Sequence, residues 1–150
     1  MKTSLYRVLL PSKYVLVFEE VKRYLPDAYR TPQAFLALLT NGTTLSFELG
    51  DFQGAFWLTD VFVGWKAGIH IVLWQKELFG RSAEAKQVIR ELMHFYSLQR
   101  LEAFIPITMR SAGRYAERCG FKMEGILRQA TIYDGVMTDM VAYSVIRGEE

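Results

Sequence analysis

Hydrophobic positions in the first forty residues recur at helical spacing. In "KYVLVFEEVKRYL" the apolar Tyr14, Phe18, Val21 and Leu25 share a face and Ser12 precedes them as N-cap, which predicts a first helix, although "YVLVF" alone would suit a strand. Thr31 as N-cap, Pro32 at the first helical position, an apolar face of Phe35, Leu38 and Leu39, and Asn41-Gly42 as the stop predict a short second helix. Beyond Gly42 the pattern changes to the β-rich runs "TTLSFEL", "GAFWLTDVFVGW" and "GIHIVLW", separated by turns, which predict consecutive antiparallel strands. From Ser82 to Leu98 the helical period returns, with Ala85, Val88, Ile89, Leu92 and Tyr96 on one face. "RLEAFIPI" then reads as a strand, and "SAGRYAERCGF" as a short helix with Ala112, Tyr115, Ala116 and Cys119 inward and Gly120 as its stop. "GILRQATIYDG" and "TDMVAYSVI" close the chain as two strands around the hairpin signal "DGVM".

The predicted order is α-α-β-β-β-α-β-α-β-β. A helix long enough for a crossover separates the strand ending at Trp74 from the one ending at Ile107, so those two are expected to be parallel neighbours. The fold class is therefore α+β: a central mixed, mostly antiparallel sheet with one parallel pair, flanked by helices.

Composition narrows the function classes. A chain of 150 residues with 51% hydrophobic content fits one domain spanning 1–150 and a single filled core. Its 18 Lys and Arg against 16 Asp and Glu leave a net charge of +2, which gives no support to a nucleic-acid or membrane-surface role for the whole chain. Cys119 is the single cysteine, so no intrachain disulfide or cysteine-based zinc cluster is expected, no metal site is assigned, and a cytoplasmic location is expected. The opening "MKTSLYRVLLPSK" breaks its apolar stretch with Arg7 and Pro11, unlike a signal or membrane-spanning segment.

The stretch from "LFGRSAEA" to the end, with "RLEA" opening a strand, "ERCGF" closing the short helix, then "EGILR" and "DG...TDMVAYSVIR", resembles the GNAT superfamily of acetyl-CoA-dependent N-acetyltransferases. Within it, the branch of ribosomal-protein and small-molecule amine acetyltransferases is nearest in look. The resemblance covers roughly residues 60 to 147 and is carried by order and spacing. It implies that the parallel strands splay apart, that acetyl-CoA lies in the notch, and that the pyrophosphate rests on amides of a Q/R-x-x-G-x-G/A loop. Such a loop is an anion site because a helix N-terminus offers unpaired N–H groups and the positive end of its dipole.

The implied cofactor-binding residues are Leu73, Trp74, Phe79, Gly80, Arg81, Ser82 and Ala83, with Gly80 at the first glycine of the pattern. Glu77 stands where the family prefers Gln or Arg, and Ser82 where it prefers Gly or Ala. Met109 and Ala112 occupy the places of an Asn and a Ser that often hold the cofactor arm. The tyrosine that in many members protonates the leaving thiolate aligns with Ala116, and Tyr115 is its neighbour.

Acetylating an amine of pKa ~10.4 at pH 7 carries roughly 4.6 kcal/mol for deprotonation unless a base or desolvation helps. His70, Asp60 and Glu48 on the predicted strands are candidate bases, and Tyr115 is the candidate acid. Each also has a structural reading: His70 as a packed strand residue, Asp60 as a turn residue, Glu48 as the solvent-facing position of an alternating strand, Tyr115 as helix packing. Tyr133 and Asp139 lie near the terminal hairpin, which in the family often closes over substrate, and Asp139 can equally pair with a cross-strand cation. Arg110, Arg114 and Arg118 form an i, i+4, i+8 stripe that reads as a solvated face or a site for an acidic group. Cys119 reads as a small buried hydrophobe, not an acyl carrier.

The expected activity is direct transfer of acetyl from acetyl-CoA to a primary amine of a small molecule or a protein N-terminus, releasing CoA. The alternative is a GNAT-fold protein that binds CoA, or a partner, with weak or no turnover. Expected partners are acetyl-CoA and an amine acceptor, with no nucleic acid and no membrane, and the edge of the terminal hairpin could support a homodimer.

Overall fold

The computed structural model describes residues 5–150. Seven strands form one sheet in the order β1-β2-β3-β4-β5-β7-β6, where β1 is Tyr6–Val8, β2 Leu45–Leu49, β3 Gly54–Phe62, β4 Lys66–Leu73, β5 Arg100–Pro106, β6 Lys122–Tyr133 and β7 Val136–Ile146. All neighbours are antiparallel except β4 and β5, as the crossover predicts. Helices α1 (Tyr14–Val21) and α2 (Pro32–Leu39) cover one face, and α3 (Ser82–Phe95) and α4 (Arg110–Arg118) the other.

Alternation along β3 explains both layers. Ala55 and Trp57 turn toward α1 and α2, where Phe35 is fully buried against Phe18 and Trp57. Phe56 and Leu58 turn toward α3 and α4, joining Ile69, Val88, Ile89, Leu92, Met93 and Leu101. With both faces covered, "AFWL" must be apolar throughout, which is why it reads as a continuous run. Burying a side chain such as Phe35 contributes roughly 1.5–3 kcal/mol.

Local chemistry sets the boundaries. Thr31 caps α2 as expected, its hydroxyl accepting from the Ala34 N–H at 3.2 Å, with Pro32 at the first position. Asp134 and Gly135, with φ of 51° and 76°, form the β6–β7 turn that "DG" predicts. Gly120, at φ 95°, ends α4.

Four expectations change. The chain's described part opens with a strand, β1, absent from the predicted order; its partner is β2, through Tyr6↔Leu49 and Val8↔Phe47. Ser12 is not an N-cap, because Pro11–Lys13 form a 3₁₀ turn and α1 starts at Tyr14 with no side-chain cap bond. Helix α3 ends at Phe95 before the expected Leu98, as Ser97 adopts φ 53° and turns the chain toward β5. Glu48 is not a solvent-facing strand residue: it is 1% exposed and accepts from Arg7 Nε and Lys13 Nζ, each at 2.9 Å. Burial alone would raise its pKa, but the hydrogen bonds from Lys13 and Arg7 outweigh it and hold the carboxyl below its usual range.

Candidate active site

The parallel pair is short. Strands β4 and β5 pair only from Lys66↔Arg100 to Gly68↔Glu102 and then separate. Each strand stays with its other neighbour: β4 follows β3 to Leu73↔Gly54, while β5 follows β7 to Pro106↔Met140. A bulge in β3 between Thr59 and Phe62, with Asp60 at φ 49°, lies opposite the last paired stretch of β4. Bulges bend and twist a strand, which is the physical reason to find one where two halves of a sheet part.

The split leaves backbone groups without a sheet partner. The Trp74 N–H donates to Gln53 O at 3.2 Å, so alternation points the N–H groups of Val72 and His70 toward β3 and those of Ile71 and Leu73 into the notch. Across from them, Arg100 N–H donates to Trp65 O and Ile107 N–H to Asp139 O, which by the same alternation turns the Phe104 N–H into the notch. Trp74, an expected cofactor contact, is directed away from the notch: its amide bonds Gln53 and its indole N–H donates to Phe52 O at 2.8 Å.

On the α3–α4 face the notch meets the expected phosphate loop. A 3₁₀ turn, Lys76–Gly80, leads from β4 into α3. Arg81 O accepts from the amides of Glu84 and Ala85, whereas the amides of Ser82 and Ala83 have no backbone acceptor among the described residues. A Cβ added at Gly80 would meet nothing within 4 Å, so the approach to these amides is open. Glu77 is exposed, and Arg81 is held by Glu84 through Nε–Oε1 at 2.7 Å. An anion on this loop would compete with Glu84 for Arg81 and gain the helix-terminal amides.

Beneath lies a small cavity of about 30 Å³ whose lining includes Ile71, Leu73, Leu78, Arg81, Ala85 and Tyr115. Tyr115 packs edge-on against Phe79 at 5.4 Å, and its phenol lies beside Cys119. The structure thus brings Tyr115, Phe79, Arg81 and Leu73 together, while Ala116 is buried in the core. Burial, then the Cys119 thiol, push the Tyr115 phenol well above its usual pKa. Burial likewise raises Cys119, which stays a thiol, and Arg118 lies over the Tyr115 ring at 5.7 Å.

His70 and Asp60 stand apart from Tyr115. His70 is on the opposite face of β4, stacked on Trp57 at 5.7 Å with 11° between the rings, and it keeps surface open to solvent. The protein mass around it pushes its pKa down to about 4, with the Asp60 carboxylate pulling the other way. It is therefore a neutral acceptor at pH 7.

That second face carries a contact no motif announced. Asp27, in the 3₁₀ turn Asp27–Tyr29 between α1 and α2, accepts from the amides of Asp134 and Gly135 at 2.8 Å each. Arg30 pairs with Asp134, donates to Leu25 O at 2.7 Å and 3.0 Å, and sits 5.9 Å from the Tyr133 ring centre. The turn of the β6–β7 hairpin is thereby latched to the α1–α2 connection. Hydrogen bonds from Gly135 and Asp134 hold Asp27 below the usual carboxylate range. Among the described residues Asp139 has no cation partner: its Oδ1 accepts the Gln129 N–H at 2.8 Å and fixes the bulge where Gln129 adopts φ 49°.

No protein-family model and no curated protein matches the sequence. Solved structures do match the fold. A spermidine N-acetyltransferase from Vibrio cholerae, determined in complex with CoA and spermine, aligns with a TM-score of 0.74 and 15% identity over 96% of this chain and 95% of that one. A ribosomal-protein-S5-alanine acetyltransferase from Vibrio fischeri aligns with a TM-score of 0.72 and 15% identity, covering 100% and 98% of the two chains. A probable acetyltransferase gives 0.72 at 21% identity over 97% and 93%. The chain has the fold of GNAT-type acetyltransferases, as its C-terminal motifs implied. Among the described residues no helix is long and apolar enough to cross a membrane, and no group of His, Cys, Asp or Glu is arranged to hold a metal ion.

Proposed function

We propose that the chain is an acetyl-CoA-dependent N-acetyltransferase in which the two substrates meet from opposite faces of the split sheet. The observation that carries this reading is the coincidence of three features at one place: the opening between β4 and β5, the Ser82 and Ala83 amides, which have no backbone acceptor among the described residues, and the cavity bearing Tyr115. Acetyl-CoA fits the α3–α4 face, with its pyrophosphate on the loop around Gly80 and Arg81 and its arm along Ile71 and Leu73. The coenzyme supplies an activated acetyl thioester.

The chain's own groups account for the rest. The Ile71 and Leu73 N–H groups point into the notch, where they can donate to the carbonyl oxygen as negative charge develops on it. The amine acceptor comes from the α1–α2 face, past His70 and under the latched hairpin. Once the nitrogen begins to bond to the acyl carbon its proton becomes acidic, and a neutral His70 can take it directly or through water. Tyr115 stays protonated under all ordinary conditions, so it donates a hydrogen bond to the departing sulfur rather than carrying negative charge itself.

The acceptor is expected to be a primary amine of a small molecule or a protein N-terminus. Thiol release from acetyl-CoA, measured over a panel of amines and N-terminal peptides, tests the reading; binding of acetyl-CoA with no thiol release from any acceptor would favour the alternative of a coenzyme-binding or interaction protein. Met109 and Ala112, apolar where the family often places polar groups, are the features on that side.

A further inference from the structure

Helices α1 and α2 cover only part of their face of the sheet. The core beneath them takes in residues of β3 and β4 and, among the described residues, none of β5, β6 or β7. On β5 and β7, Leu101, Ala103, Tyr143 and Val145 turn into the α3–α4 core, so by alternation Phe104, Met140 and Ala142 turn to the α1–α2 face. Strand register sets them in two rows: Phe104, Ala142 and Gly125, then Pro106, Met140 and Leu127. Every position in both rows is apolar. Phe104 is 36% exposed and Leu127 45%, while Met140 and Ala142 are half-buried.

This apolar floor adjoins the notch. The last β4–β5 pair is Gly68↔Glu102, so two residues further along each strand stand His70 and Phe104, on the same face and on opposite sides of the split. Charge at the two ends of the floor is already paired. The next row is Glu102, Ser144 and Lys122; Glu102 holds Lys66 at 3.4 Å and Arg100 at 2.8 Å, Arg100 also holds Glu124, and Lys122 holds Glu149. At the other end Asp134 is taken by Arg30 in the latch. The carboxylates Glu102, Glu124 and Asp134 thus each have a cation. The Asp60 carboxylate acts on His70 from the β3 side, away from the floor.

We propose that this floor receives the body of the acceptor, and that the acceptor is a small primary amine carrying one uncharged apolar group. The inference rests on the reading that the amine enters from the α1–α2 face. With its nitrogen beside His70, the apolar body crosses the notch onto Phe104 and lies along Ala142, Met140 and Leu127, removing apolar surface of both partners from water. A second ammonium group laid on the same floor would lose hydration and meet no free carboxylate. The backbone positions of the floor span roughly 7 Å along the strands and 10 Å across them, the reach of a phenyl ring or a short alkyl chain. Ion pairs at one end and the latch at the other bound it, which suits a compact body better than a continuing peptide.

The probes are heptylamine and 1,6-diaminohexane, which match in length and differ by a methyl against an ammonium group. Titrated separately into the ¹⁵N-labelled protein, heptylamine should give saturable shifts at the Phe104, Met140, Ala142 and Leu127 amides and bind at least about tenfold more tightly than the diamine. Leu127→Glu should bring the two within about twofold of each other by supplying a carboxylate. Ile126→Glu, on the opposite face of β6 beside Val141, should leave the preference intact. Both residues are exposed, so both variants should fold. Equal or tighter binding of the diamine, shifts away from the floor, the same response to both variants, or tighter binding of the tripeptide Leu-Ala-Ala would each overturn the assignment. Thiol release from acetyl-CoA reports separately on catalysis. A bound heptylamine that releases no thiol upholds the floor and removes acetyl transfer to it; release that favours the diamine upholds transfer and overturns the floor.

Discussion

The two faces of the sheet differ in how they are built. On the α3–α4 face the groups assigned to the coenzyme come from a continuous stretch, β4 through the start of α3, plus Tyr115 of α4, and local geometry alone places them. On the α1–α2 face, which the proposed reading assigns to the acceptor, segments more than a hundred residues apart are held together by Asp27 and Arg30 on the hairpin turn at Asp134 and Gly135. The first rests on local connections; the second rests on long-range contacts, and in the proposed reading it borders the acceptor.

The comparison can be broken most sharply at the loop. Gly80→Asp puts a side chain and a negative charge where the space is now open, and should weaken acetyl-CoA binding by at least about 30-fold in calorimetry, since one charge facing another across a partly dry site costs around 2 kcal/mol or more. Unchanged affinity would remove this loop from the coenzyme site. Tyr115→Phe should lower kcat by roughly tenfold or more while leaving the Kd for CoA within about twofold, as removal of a transition-state donor does. An equal fall in binding would make the residue a packing element.

On the other face, Asp27→Ala should release the hairpin turn. The KM for the acceptor should change by roughly threefold to tenfold, with the affinity for CoA unaffected, because a lost charge-assisted contact amounts to about 1.5–3 kcal/mol at most and only part reaches the acceptor. A change confined to CoA binding would contradict the division between the faces. The pH dependence sharpens it further. With His70 depressed to about 4, it is neutral across pH 6–9, so kcat/KM should rise steadily over that range with deprotonation of the amine. An inflection near 6.5 would show that His70 titrates at its ordinary value and lies in a more polar setting.

Glu48→Gln concerns the frame and not the site. It should reduce stability at pH 7 by about 1–3 kcal/mol in urea unfolding, leaving kcat within about twofold. Glu48 is lowered from 4.5 in the folded state, so its contribution is complete above that value and is lost as pH falls through the lower folded one. The variant's deficit should accordingly shrink in acid.

The same contrast explains what the sequence alone conveyed. Features written in adjacent residues were legible: the Thr31-Pro32 cap, the Asp134-Gly135 turn, Gly120 after α4, and the α3 crossover that makes β4 and β5 parallel. The stretch from Phe79 to Ala83 joins β4 to α3, and among the described residues the Ser82 and Ala83 amides have no backbone acceptor. Strand β1 was not legible, because it is only three residues long, Arg7 and Val8 are exposed, and its existence depends on β2 forty residues on. Neither was the burial of Glu48, since an acidic residue in an alternating strand looks solvent-facing until Arg7 and Lys13 are folded onto it. Counting along α4 set Ala116 at the tyrosine's place, whereas the cavity takes Tyr115; one residue of register turns a helical side chain by about 100°. The Asp27 latch left no trace, as "PDAYR" carries no motif and its partners lie at the far end of the chain.

The central claim is that the split between β4 and β5 receives the coenzyme from the α3–α4 face. Titrating CoA into the ¹⁵N-labelled protein tests it directly. The account predicts saturable shifts at Ile71, Leu73, Ser82 and Ala83 with the Asp134 and Gly135 amides unmoved; no saturation at millimolar CoA, or shifts confined to the hairpin turn, would contradict it.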